Sequence, residues 1–380
     1  MPNLFTRLLA AMAALAIPVA AAASPVTASP VTDCPLRDLP FSADSPLIDL
    51  LLSPAARALV DTEMGGRLGT APARFFGTQP PTFAAILTLK EAARFTGMKS
   101  EQIAALDTRL RALPVTSADR VARCARYDNE VPRFDLPRGR PNILLFEKIN
   151  GFKDEPSVNA AHAALVAMAQ RKGWNLVTTE MGGVFNRASL RRFDAVIWNN
   201  ISGDVLTLAQ RRAFESYIAQ GGGFVGLHGS AGDFIYFWDW YVDTLIGARF
   251  VGHPMNPQFQ NARVVAEGRD HPAGRGLPAE WTMMDEWYSF RASPRLTGAT
   301  VIATLDESTY KQEGPMGQKL SMGSDHPIAW TRCIGKGRSF YSAIGHRPET
   351  YTEPNNAVML EAAITWAADR RQPCRANPGR

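Results

Sequence analysis

With 380 residues, 46% of them hydrophobic and 20% charged, the chain has material for two domains or one large one. Its net charge of +5 comes from scattered arginines, with no basic cluster interleaved with aromatics, which argues against nucleic acid as a partner. Beyond the first residues no stretch is apolar for long enough to span a bilayer, so no transmembrane segment is expected after processing.

Residues 1–7 are short and basic, 8–19 are apolar, and Ala21-Ala22-Ala23 offers a small-residue cleavage site. This is the pattern of a signal peptide over 1–23. Pro25 disfavours cutting after Ser24, so cleavage after Ala23 and a periplasmic or secreted product are expected, with an uncleaved anchor as the alternative. A Ser/Pro/Thr/Ala tether follows over 24–33. Four cysteines suit an oxidising compartment, and none has CxxC or CxxH spacing. Of the three pairings, Cys34 with Cys124 and Cys333 with Cys374 are favoured, because each would staple the ends of one expected domain. Free buried thiols are the alternative.

Residues 34–130 read as a helical domain. Ser45-Pro46 is a cap and first-turn signal for a helix ending at Gly65-Gly66. Further helices are expected over 82–95, from Ser100-Glu101, and over 117–127. No chemistry is visible there, and its expected role is to pack against, or partly lid, the next domain. Residues 131–141, with three prolines, are an extended connector. From 142 to 370 strands alternate with helices: strands over 142–146, 175–179, 195–199 and 224–227, helices over 159–171 and 207–220. Later strands fall at 263–266, 301–305, 328–331 and 339–344, then a helix over 356–369 and a tail over 371–380. This rhythm implies an α/β fold, an open, mainly parallel sheet with helices on both faces. Its sites should lie at the strands' carboxyl ends.

The pivotal stretch is Gly221-Gly222-Gly223-Phe224-Val225-Gly226-Leu227-His228-Gly229-Ser230. Glycines end a helix, a short apolar strand follows, and a sharp turn presents a residue at the sheet edge as a nucleophile elbow does. That residue is His228. Together with His253-Pro254, Asp285-Glu286-Trp287-Tyr288, Asp306-Glu307-Ser308-Thr309-Tyr310, His326-Pro327 and Phe340-Tyr341-Ser342-Ala343-Ile344-Gly345-His346, the chain over about 142–369 resembles the ThuA-like (trehalose utilisation) family. The resemblance implies a class I glutamine amidotransferase-like, flavodoxin-like fold. Amidotransferases keep a cysteine at the elbow with a later histidine and acid. Here His346-Arg347-Pro348-Glu349 echoes the second part, but the thiol is missing, so glutaminase activity is not expected. The resemblance implies instead a sugar-related role on keto-glycosides or trehalose-like disaccharides.

The residue types agree in part. Sugar sites combine flat apolar faces with groups that hold hydroxyls, which Trp238, Trp287 and Tyr288 beside Asp285 and Glu286 could supply. Asn199, Asn200 and Asp204, after the third strand, are further candidates, although such residues also form turns and caps. Isomerisation, elimination or hydrolysis beside a carbonyl needs a base and an acid, for which His228, His346 and Glu286 are the catalytic candidates. Glu286 is favoured over Asp285, since alternation turns only one of them toward the cleft. His253 is a helper, or a metal ligand with His228 and His346. Three imidazoles and a carboxylate suit a zinc-like divalent ion, although no HxxxH or HExxH spacing supports one. His162, His271 and His326 read as structural. The rival readings are a non-catalytic carbohydrate-binding protein and a protein-interaction module.

Overall fold

The computed structural model describes residues 30–371 and Cys374. The expected signal peptide, residues 24–29 of the tether and most of the tail lie outside the described residues. Among the described residues no helix is long and apolar enough to cross a membrane.

The expected first helix is two, α1 (Leu47–Leu52) and α2 (Pro54–Glu63). Ser53 between them is extended (φ −85°, ψ 119°), because the ring of Pro54 disfavours a helical residue before it. After a single turn, α3 (Ala73–Phe76), the helix expected over 82–95 is also split. Phe83–Ala85 is a 3₁₀ turn capped by the Thr82 hydroxyl, and α4 (Leu89–Thr96) starts afresh after Thr88, whose N–H bonds Glu91. α5 (Ser100–Arg111) and α6 (Ser117–Cys124) follow. Leu47, Leu50, Val60, Leu106 and Leu110 are fully buried in the core of this region.

Both favoured cysteine pairs are disulfides. Cys34–Cys124 closes a span of 90 residues around the helices, and Cys333–Cys374 ties a late strand to the chain after the last helix. Cross-linking removes freedom from the unfolded chain, and more so for long loops. Replacing Cys34 and Cys124 by serine is therefore expected to cost about 2–5 kcal/mol. A thermal midpoint unchanged by the double substitution would refute this.

The α/β region holds eleven strands. These are β1 (Asn142–Phe146), β2 (Asn175–Thr179), β3 (Ala195–Asn199), β4 (Gly223–Leu227), β5 (Phe250–Gly252), β6 (Phe259–Ala266), β7 (Glu280–Glu286), β8 (Ser289–Phe290), β9 (Thr300–Asp306), β10 (Pro327–Ile334) and β11 (Gly337–Ser342). Nine form one sheet in the order β2-β1-β3-β4-β11-β10-β9-β6-β7. The helices α7 (Glu155–Lys172), α8 (Arg187–Leu190), α9 (Leu208–Ala219) and α10 (Pro354–Ala367) complete the region. α9 opens on a reciprocal cap between Thr207 and Gln210.

The sheet is mixed but mostly parallel. β2, β1, β3, β4 and β11 are mutually parallel. The rest are antiparallel neighbours, so that only β10 and β6 run against the others. The reversal has a local cause, since only Gly335 and Lys336 separate β10 from β11, and so short a link makes a hairpin and not a crossover. As a result the carboxyl ends of β4, β7 and β11 reach the same edge of the sheet.

Candidate active site at the carboxyl edge

Those three strand ends deliver His228, Glu286 and His346. His228 follows β4 and takes a left-handed backbone (φ 33°), a strained conformation for a residue with a side chain. The turn is over-determined. The Tyr341 hydroxyl donates to the His228 carbonyl (2.7 Å), Gly229 N donates to Asn200 Oδ1 (3.1 Å), and the Tyr288 ring lies 4.2 Å from the imidazole, centroid to centroid. Gly345 leaves room beside it, for a Cβ there (φ 148°) would lie 2.4 Å from the Tyr351 hydroxyl and 3.0 Å from His228 Cβ.

Glu286 ends β7, is 1% exposed, and three imidazoles converge on it. His346 Nδ1 is 3.0 Å from Oε2, His228 Nε2 is 3.5 Å from the same oxygen, and His253 Nδ1 is 3.1 Å from Oε1. His253 joins through the small sheet of β5 and β8, which sets Gly252 opposite Ser289. Gln258 Nε2 adds a fourth donor, and nothing in the sequence marked it.

The partner atoms assign the tautomers. A carbonyl only accepts, so His228, with Nδ1 at 2.7 Å from Ala343 O, carries a proton there and turns Nε2 toward Glu286 and His346. His253 Nδ1 lies between Pro254 O (3.0 Å) and Glu286, two acceptors, and is also the protonated nitrogen. Burial alone would push the Glu286 pKa up, but the bonds from His228 and His346 and the positive charge of His346 hold it well below the ordinary carboxylate value. For His346, burial lowers the pKa, yet the bond to Glu286 and its charge outweigh this and raise it. His346 and Glu286 are therefore an ion pair.

Asp285, expected among the substrate ligands, is turned away from the cluster and fully buried. Its carboxylate accepts from Gly345 N (2.6 Å) and Arg347 N (3.1 Å), the amides on either side of His346. Asn199 and Asn200 are corrected in the same way. Asn199 is fully buried and donates to Glu147 (2.7 Å) and the Val158 carbonyl (3.0 Å). Asn200 donates to Asn199 and the Tyr351 hydroxyl, so neither amide is left for a sugar. Trp287 is core, 1% exposed, with its indole N–H on Gln260 O. Asp204 and Trp238 line a different hollow, with Asp233 and Tyr236. There Asp204 pairs with Arg211 and accepts from Tyr127, while Trp238 bonds Glu215. Of the expected substrate ligands, only Tyr288 borders the cluster.

The remaining histidines stand apart. His326 is fully buried, bonding Glu307 (2.7 Å) and holding the Tyr288 carbonyl (2.8 Å). His271 bonds Ala273 N, and burial with the nearby Arg338 charge pushes its pKa down to about 4. His162 pairs with Glu147.

Fold and site together define a mixed, mostly parallel α/β protein with a histidine–carboxylate cluster where strand ends converge. The family model for trehalose utilisation, ThuA, matches residues 142–367, and the chain belongs to that family. A ThuA-like protein of Bacteroides uniformis is similar in structure, with a TM-score of 0.51, 25% identity, and coverage of 63% of this chain and 95% of that one. A second, from Parabacteroides merdae, aligns with a TM-score of 0.46 and 17% identity over 63% of this chain and 94% of its own. No curated protein matches the chain. The family ties the α/β region to sugar metabolism, and the helical region lies outside the matched residues.

Proposed function

We propose that the chain carries out acid–base chemistry beside the carbonyl of an oxidised (keto) glycoside or trehalose-like disaccharide, by isomerisation, elimination or hydrolysis. The observation that carries this reading is the convergence of three imidazoles on one buried carboxylate. Glu286 engages the Nδ1 atoms of His346 and His253, which leaves their Nε2 atoms on the far side of each ring. The His253 and His346 side chains keep 22% and 13% of their surface, whereas His228 keeps 5%. His346, kept protonated by Glu286, is the acid for the carbonyl oxygen. His253, with its proton on Nδ1, offers Nε2 as base for the neighbouring C–H. The carbon-bound proton passes to His253 and the oxygen takes one from His346, giving an enediol that is reprotonated on carbon, or that returns its hydroxyl proton to His346 while the glycosidic oxygen leaves with the proton held by His253. His228 acts from beneath, through Glu286 and His346. With His228 at the elbow and both disulfides formed, no free cysteine exists among the described residues, which supports a reaction that uses no thiol nucleophile.

Turnover of a 3-keto-glycoside by the wild type that disappears in His346→Ala and His228→Ala, with circular dichroism unchanged, tests the reading. Sugar affinity without turnover would leave a binding protein in its place. A zinc-like divalent ion is a second reading. His228, Glu286 and His346 offer donor atoms within 4.8 Å of one another, and the carbonyl bond on His228 Nδ1 is the outer-shell support usual for ligating imidazoles. Such an ion would polarise the keto oxygen in place of His346, and metal content of the purified protein separates the two.

The strand order β2-β1-β3-β4-β11 supports the flavodoxin-like, amidotransferase-like reading of the parallel half. Export is part of the same proposal, and the two disulfides support it.

A further inference from the structure

The helical region touches the α/β region beside the cluster. Thr82 N donates to Asn150 O (3.1 Å), and Ile86 packs so closely on Gly151 that a Cβ there would lie 2.6 Å from its Cγ2. The buried Ile86 accounts for this contact. The neighbouring aromatic rings extend this contact toward the cluster. Phe75, Phe83 and Phe152 each remain partly exposed and form a row leading to His346, with ring centroids 5.0 Å apart from Phe75 to Phe83, 5.1 Å from Phe83 to Phe152 and 6.0 Å from Phe152 to His346. The row is anchored at its inner end. Phe152 N donates to Ser202 Oγ (2.9 Å), which in turn donates to the buried Asp233 (2.6 Å). At its outer end the exposed Arg74 guanidinium stands 4.9 Å from the Phe75 centroid and 5.3 Å from that of Phe83.

Resting on the proposed sugar chemistry, we propose that this row is a second subsite, built jointly by the two regions, that takes the second hexose ring of a disaccharide whose keto-sugar faces His346. Aromatic faces are the surfaces on which the C–H face of a sugar ring settles. Phe152 and Phe83 supply them at the step from one ring to the next, and Arg74 supplies donors for outer hydroxyls.

The test is calorimetric binding of 3-keto-trehalose and of methyl 3-keto-α-glucoside, which lacks the second ring. Phe83→Leu keeps apolar volume and removes the ring, and Phe83→Tyr restores it. Phe83→Leu should weaken 3-keto-trehalose roughly 3- to 10-fold and leave the methyl glycoside unchanged, and Phe83→Tyr should recover most of the loss. An equal loss for both sugars, or none for either, overturns the subsite. A wild type that binds both sugars and turns over neither removes the catalytic reading, while a selective loss in Phe83→Leu still upholds the subsite. A wild type that binds neither overturns both.

Discussion

Glu286→Gln is expected to lower kcat/KM on a 3-keto-glycoside by roughly 10²–10⁴-fold, the range that positioned acid–base groups contribute, with little change in fold. The amide keeps the shape but removes the charge, and it sets an NH2 group among imidazole N–H donors. The pH profile distinguishes this loss from simple misfolding. In the wild type the carboxylate's pKa is held below its ordinary 4.5, so its part of the ion pair is fully present above that value and is lost as pH falls toward the depressed one. His346 is raised above its ordinary 6.5, so its part is fully present below 6.5 and is lost as pH rises through the raised value. The pair is therefore complete between those two pH values and decays on the alkaline side as His346 deprotonates. Without the carboxylate charge the residual activity should lose its alkaline limb at lower pH. An alkaline limb that stays where the wild type has it would remove His346 as the acid held by Glu286.

The second large effect is expected at Asp285, which touches no part of the proposed reaction. Asp285→Asn leaves one acceptor oxygen for two backbone N–H groups and faces the other with an NH2 group. Losing a charged hydrogen bond and opposing two donors costs about 2–4 kcal/mol. Burial pushes the pKa of Asp285 up, against the backbone bonds and the His228 charge that lower it. The neutral amide escapes that desolvation, so the net loss should be smaller, about 1–3 kcal/mol. The functional loss should be larger, since the two amides bracket His346 and a displacement near 1 Å can cost about 10²-fold in rate. A lowered thermal midpoint with kcat intact would make Asp285 a structural residue only, whereas a fall in kcat at nearly constant KM marks it as the group that positions His346.

Much of this molecule is set by short-range rules. β1, β2 and β3 occupy the residues that apolar runs between turn signals single out, α9 begins at its Thr207 cap, and the Gly221-Gly222-Gly223 stop precedes β4, because caps, left-handed glycines and side-chain periodicity act within a few residues. The same rules predict that His228 and His346 fall at strand ends, and the choice between Asp285 and Glu286 needs only the alternation of an extended segment, although β7 itself (Glu280–Glu286) is not among the expected strands. They misjudge 47–63 and 82–95 as continuous helices, since Pro54 and the Thr82 and Thr88 side chains offer the chain local alternatives to helical bonding.

What no local rule contains is which strand ends become neighbours. The order β4-β11-β10-β9-β6-β7 and the reversal of β10 and β6 bring residues 228, 286 and 346 to one edge, and the pairing of β5 with β8 adds His253. That packing also decides against Asn199 and Asn200, whose amides are spent inside the protein, and against Asp204 and Trp238, which another hollow claims. The row from Phe75 to Phe152 exists only because the helical region comes to rest on Gly151. Residue type and spacing along the chain thus determined which side chains were capable of proton transfer, while burial and strand order decided which of them meet, because a hydrogen bond or a stacked ring depends on distances through space that sequence separation does not encode.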